Sequence, residues 1–201
     1  LHHQPIARLR PLQQVPGVIR AYALQAWGNG NSALVLEPFG RSLALWTAQF
    51  PGHRVPLARF LDLAIALVEI LGRVHDLDIV HKRIEKQTIL IDDAGNLRLI
   101  NFAIASELSQ EPQGDAAERR LEGAPAYMSP EQTGRMNRDV DYTSDYYSLG
   151  VTFYELLTGE LPFAADSVLE WVHCHISKQP QPPHERVPSI PAAVSAILMK
   201  L

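Results

Sequence analysis

The chain has 201 residues, of which 46% are apolar and 20% charged, with a formal net charge of −4. That balance belongs to a folded globular chain, and the length allows one domain with a sizeable core but not two of ordinary size. The mildly negative charge leaves no nucleic-acid footprint. The longest apolar candidate for a membrane span, residues 60–71, contains Asp62 and Glu69, so no membrane span is expected. A single cysteine, Cys174, excludes an internal disulfide framework and fits a reducing, cytoplasmic location. No signal-peptide pattern opens the chain, and a first residue of Leu rather than Met is expected of an excised piece.

In chain order, apolar runs at 18–27 and 33–39 flank Gly28-Asn29-Gly30-Asn31, which predicts a β-hairpin whose turn uses the Asn-Gly pairs. From Leu57 to Val74 apolar residues recur at helical spacing on most faces, predicting a helix buried nearly all round. A second strand pair is predicted at 88–92 and 97–101 around the turn Asp92-Asp93-Ala94-Gly95-Asn96. Residues 103–131 lack periodicity and read as an irregular segment. Helices are predicted at 143–157, stopped by Gly159 and Pro162, at 167–178, and from 192 onward, with a proline-rich connector at 179–191. This order predicts an α+β fold with helices predominating. His173-Cys174-His175 invites a metal reading, but consecutive helical residues point about 100° apart and do not converge on one ion.

Four stretches occur in a telling order. They are Val80-His81-Lys82-Arg83-Ile84-Glu85-Lys86-Gln87-Thr88-Ile89-Leu90, Asn101-Phe102-Ala103, Gly123-Ala124-Pro125-Ala126-Tyr127-Met128-Ser129-Pro130-Glu131, and Asp145-Tyr146-Tyr147-Ser148-Leu149-Gly150. Together they resemble the catalytic loop, the D-F-G position, the end of the activation segment and the opening of the central helix of a serine/threonine protein kinase. Ser129–Arg138 and Tyr147–Gly159 further resemble the kinase-like domain that begins bacterial, notably cyanobacterial, hybrid sensor proteins. In those proteins it precedes AAA-type ATPase, GAF and histidine kinase modules. The resemblance implies a protein-kinase-like fold. Residues 1–39 would be a remnant of the small lobe (the end of one helix, two strands and the hinge). Residues 40–201 would be the helical large lobe, incomplete at its C-terminal end.

It also implies what each motif position should do, and the polar positions depart from the pattern. Arg83 stands where the family has the catalytic Asp; a guanidinium has no lone pair to accept a proton, and general-base help is worth roughly 10²–10⁴ in rate. Thr88 stands where the family has a magnesium-binding Asn, and Asn101 where it has the metal-binding Asp, so the expected site has lost its carboxylate. Glu85 replaces a Lys or Asn, and Ala124 replaces the Thr that braces the catalytic Asp. The scaffold positions match: His81 and Phe102 of the hydrophobic spine, and Asp145, which holds the catalytic loop from below. Glu37, Phe39 and Leu90 are the expected contacts of an adenine ring, should nucleotide bind. Neither a G-x-G-x-x-G loop nor a V-A-I-K lysine occurs. The expectation is a pseudokinase with no intact catalytic residue, no metal site and no cofactor; ATP and magnesium enter by family analogy only. Its expected partners are other domains of the same polypeptide or signalling proteins. The alternative is an active serine/threonine kinase. The resemblance also leads to the expectation that Glu131 is a buried charge without its partner.

Overall fold

A computed structural model describes residues 11–27, 31–107 and 124–201. The first hairpin is formed by β1 (Ala21–Trp27) and β2 (Asn31–Leu36), antiparallel with Trp27 opposite Asn31 and a bulge between Ala21 and Ala23. The hairpin agrees with the alternating apolar runs; its Gly28-Asn29-Gly30 turn lies outside the described residues. A second sheet has the order β3 (Arg41–Ser42), β5 (Ile89–Ile91), β6 (Leu97–Leu99), all antiparallel. Gly17–Ile19 closes onto it: Leu99 N–H donates to the Gly17 carbonyl and Ile19 N–H to that of Leu99. Two further short strands, β4 (Ile79–Val80) and β7 (Ser106–Glu107), pair across the start of the loop at 81–88. These two-residue strands have no periodicity to read, and the sequence did not announce them.

The helices are α1 (Leu43–Thr47), α2 (Leu57–His75), α3 (Tyr142–Thr158), α4 (Val168–Ser177), α5 (Pro183–Arg186) and α6 (Ala192–Leu198). Their ends follow local chemistry. Asp141 caps α3 by accepting from Thr143 N–H at 2.7 Å, and Gly159 ends it in the left-handed conformation at φ 80°. Ser167 caps α4 through Glu170 N–H. α1 and the single turn α5, inside the proline-rich connector, were too short for sequence periodicity to reveal. Of the segment expected to be irregular, residues 108–123 lie outside the described residues, and Pro125–Tyr127 and Glu131–Thr133 wind into 3₁₀ turns. Among the described residues helices predominate over three small sheets, as expected of a protein-kinase-like α+β fold.

The core is built where α2 and α3 cross beneath the second sheet. Phe60 of α2 meets Phe153 of α3 edge-to-face at 5.3 Å, surrounded by Leu43, Leu67, Leu71, Ile84, Ile89, Leu99 and Leu156. A smaller cluster holds Leu12, Val18, Val74 and Ile79, and the Phe102 ring packs against both. One expectation fails here. α2 is buried on one face only, because its other face meets no element of the described fold: Leu61, Ile65 and Val68 stand exposed.

Candidate active site

The loop between β4 and β5 is set by one carboxylate. Asp145, near the start of α3 and fully buried, accepts from the backbone N–H of His81 (2.8 Å) and of Lys82 (2.7 Å). It also accepts from His75 Nε2, at the end of α2, at 2.9 Å. Lys82 sits at φ 65°, a conformation unfavourable to a long side chain that these bonds hold in place. From the side, Gln132 donates to the Lys82 carbonyl at 2.9 Å and accepts from Ser129 N–H at 3.0 Å. That glutamine, next to the Ser129-Pro130-Glu131 motif, ties the segment before α3 to the loop.

His81 is fully buried. Its Nε2 donates to the Ile100 carbonyl at 3.0 Å, and its Nδ1 accepts from Arg83 N–H at 3.2 Å. The second bond requires the neutral ring, and burial, opposed by the Asp145 charge, holds its pKa below the usual histidine value. The ring packs edge-to-face on Phe102 at 4.4 Å.

Arg83, Thr88 and Asn101, the three positions that depart from the pattern of the resemblance, have definite surroundings. Arg83 donates through Nε to Glu85 at 2.7 Å; Arg83 is partly exposed, whereas the Glu85 side chain is buried. Thr88 is buried, and its hydroxyl lies 2.7 Å from the Arg83 carbonyl and 3.1 Å from that of Glu85, while accepting from Glu85 N–H at 3.2 Å. Its donor and acceptor capacity closes the loop upon itself. Asn101 is exposed at φ 68°, the left-handed region that Asn tolerates, with its side chain capping nothing. Magnesium, which the resemblance implies, does not fit this donor set. Thr88 is committed to backbone, Asn101 offers a neutral amide, and Arg83 is a cation. Among the described residues no three His, Cys, Asp or Glu side chains converge as a metal site.

Glu37, Phe39 and Leu90 are linked by a residue that sequence reasoning missed. Arg98 on β6 faces Leu90 across the ladder, lies 3.6 Å from the Glu37 carboxylate and stacks over the Phe39 ring at 4.9 Å. Three more missed residues meet on the underside of the loop. Lys86 reaches Glu155 of α3 at 2.8 Å with little of either side chain exposed, and Tyr127 donates its hydroxyl to the other Glu155 oxygen. Burial and the Glu155 charge push the Tyr127 phenol well above its ordinary range, so it stays a donor. No local signal marked the pair: Lys86 is one of four charges in residues 82–86, and its partner is 69 positions away in the chain. A cavity of about 10 Å³ lies beside Ala124, lined by Lys82, Arg83, Glu85, Tyr127 and Met128, room for about one water. Glu131 is buried, and the Ser144 hydroxyl donates to it.

Both ring nitrogens of His175 in α4 have partners within the fold. Its Nε2 donates to the Pro125 carbonyl at 2.9 Å and its Nδ1 accepts from the Tyr147 hydroxyl at 2.8 Å, while Cys174 is buried and His173 exposed. Burial lowers its pKa, the Pro125 bond opposing. His81 and His175 are thus both depressed in the fold, so the stability they contribute is complete above the ordinary histidine value of about 6.5 and is lost as pH falls through their lowered values. Unfolding midpoints in urea should fall as pH drops from 7 toward 5. His175→Gln, which keeps a donor and an acceptor but cannot titrate, should flatten that slope. An unchanged slope would show that His175 is not a contributor.

The family described as "Protein kinase domain" matches residues 9–200. Over 146 residues the chain is 34% identical to the DNA damage-responsive serine/threonine-protein kinase RqkA of Deinococcus radiodurans, covering 73% of this chain and 21% of that protein. It is 32% identical over 139 residues to the probable serine/threonine-protein kinase PknB of Bifidobacterium longum, covering 69% and 20%. It is 30% identical over 146 residues to the serine/threonine-protein kinase PksC of Streptomyces coelicolor, covering 73% and 26%. The chain therefore spans only 20–26% of the length of these curated relatives. Among the described residues no helix is long and apolar enough to cross a membrane. By the match over nearly its whole length, the chain belongs to the protein kinase family.

Proposed function

We propose that this domain is a pseudokinase: a kinase-family signalling module that no longer transfers phosphate and acts by protein contact within a larger sensor polypeptide. The observation that carries the reading is the Arg83–Glu85 ion pair. It puts a cation at the position of the proton acceptor and a buried carboxylate at the position where the family places a Lys or Asn. Thr88 and Asn101 support it, since neither brings a charge to a metal. The polar reaction positions have changed while Asp145, His81 and Phe102, which shape the loop, are kept.

The second reading, an active serine/threonine kinase, is favoured by the relatives, which are named as such kinases, and by a loop still anchored on Asp145. The two separate in one experiment on the full-length polypeptide. Incubated with magnesium and ATP, it should transfer no phosphate to protein Ser or Thr and show no magnesium-dependent rise in Tm with nucleotide. Arg83→Asp, Thr88→Asn and Asn101→Asp, combined with Glu85→Lys to keep the first pair opposite in charge, should raise transfer above background. Transfer by the native protein that the four changes leave within about twofold would establish the active reading instead.

A further inference from the structure

The exposed side of α2 carries a second apolar stripe that the core does not use. Leu63, Leu67, Ile70, Leu71 and Val74 face the interior, whereas Leu61, Ile65 and Val68 are 41%, 62% and 46% exposed. Ala58 precedes and Gly72 follows them in the same register, giving spacings of three, four, three and four residues. That alternation matches the spacing of a coiled-coil seam over two heptads. At its far end the seam is open: a Cβ built on Gly72 would meet nothing within 4 Å. With about 1.5 Å of rise per residue, the stripe runs most of the length of the helix.

Its edge is acidic. Asp62 and Glu69 each follow a seam residue, Leu61 and Val68, so they stand on one flank at equivalent heptad positions, both exposed. Glu69 also meets Arg73 at 3.3 Å, a solvent-exposed pair of the kind that contributes little and exchanges easily. Should a second copy pair antiparallel along this seam, the same flanks would meet, placing Asp62 and Glu69 against their own counterparts. Like charges would then oppose the pairing. An opposite edge removes that conflict.

We propose that the exposed face of α2 docks a partner helix, apolar at heptad spacing and bearing Lys or Arg along the edge that meets Asp62 and Glu69. The surface lies on the side of α2 away from α3 and the loop at 81–88, and its use does not depend on whether phosphate is transferred.

The test uses the full-length polypeptide and two synthetic helical peptides of about four heptads, with the same Leu seam and either Lys or Glu at the edge positions. Fluorescence anisotropy should show the Lys-edged peptide binding at least about tenfold more tightly, with the preference shrinking as salt rises. Ile65→Asp should weaken binding by about tenfold or more with circular dichroism and Tm unchanged. Asp62→Lys with Glu69→Lys should reverse the choice of peptide, a result that loss of folding could not produce. Equal binding of both peptides, no binding of either, or indifference to Ile65→Asp would overturn the proposal. So would self-association in sedimentation that Ile65→Asp abolishes, which would assign the seam to a second copy.

Discussion

Asp145→Ala is expected to lower stability by about 3–5 kcal/mol, a large share of the total for a domain of this size. The carboxylate is the shared acceptor for two backbone amides and one imidazole, all inside the protein. Its removal strands the N–H groups of His81 and Lys82, and a buried donor without an acceptor costs about 1–3 kcal/mol. It also weakens the hold on the left-handed backbone of Lys82, leaving the Gln132 bond to its carbonyl. Asp145→Asn should fall between the two, because its oxygen can replace one acceptor while its NH₂ faces a donor. Urea unfolding should show a lower midpoint with an unchanged m-value. Hydrogen exchange should locate the damage at the His81 and Lys82 amides. A loss below about 1 kcal/mol would mean that the loop finds its acceptors elsewhere.

The pair beneath the loop should behave in the opposite way when both partners are removed. Glu155→Met alone is expected to cost about 3–5 kcal/mol, since it leaves the Lys86 ammonium largely buried without its counter-charge and the Tyr127 hydroxyl without an acceptor. Lys86→Met alone leaves Glu155 with Tyr127 as donor and should cost less. The double substitution removes both charges and fills the space with unbranched side chains, so it should be more stable than Glu155→Met by itself. A double-mutant cycle in urea reads this directly. Additive losses would show that the two groups do not interact in solution.

Much of the fold was legible because long periodic segments declare themselves. α2 needed only helical spacing of its apolar residues, α3 its stop at Gly159 and Pro162, and the two hairpins apolar runs around turn residues. The short elements were not legible, since two residues of strand in β4 or β7 contain no period; their position comes from the pairing of Ile79 with Glu107 and Val80 with Ser106. The extent of burial of α2 was misread for a physical reason. Periodicity tells which residues share a face, but not how many faces are covered. Around the site, sequence motifs pointed to Asp145, His81, Arg83 and Thr88. They could not reveal that Thr88 closes the loop, that Arg98 bridges Glu37 and Phe39, or that Lys86 finds Glu155. Those are contacts between residues distant in sequence, and no local pattern encodes them.

The Arg83–Glu85 pair also constrains the order in which this loop could change its charges. Arg83→Asp alone would set a carboxylate beside the buried Glu85, and two such groups in close reach oppose each other's ionisation. Glu85→Lys alone would leave two cations in the same place. Each single step passes through a loop with mismatched charge, and only the pair of changes restores balance. The two positions are therefore expected to be epistatic, and placing a carboxylate at position 83 crosses a valley rather than a slope.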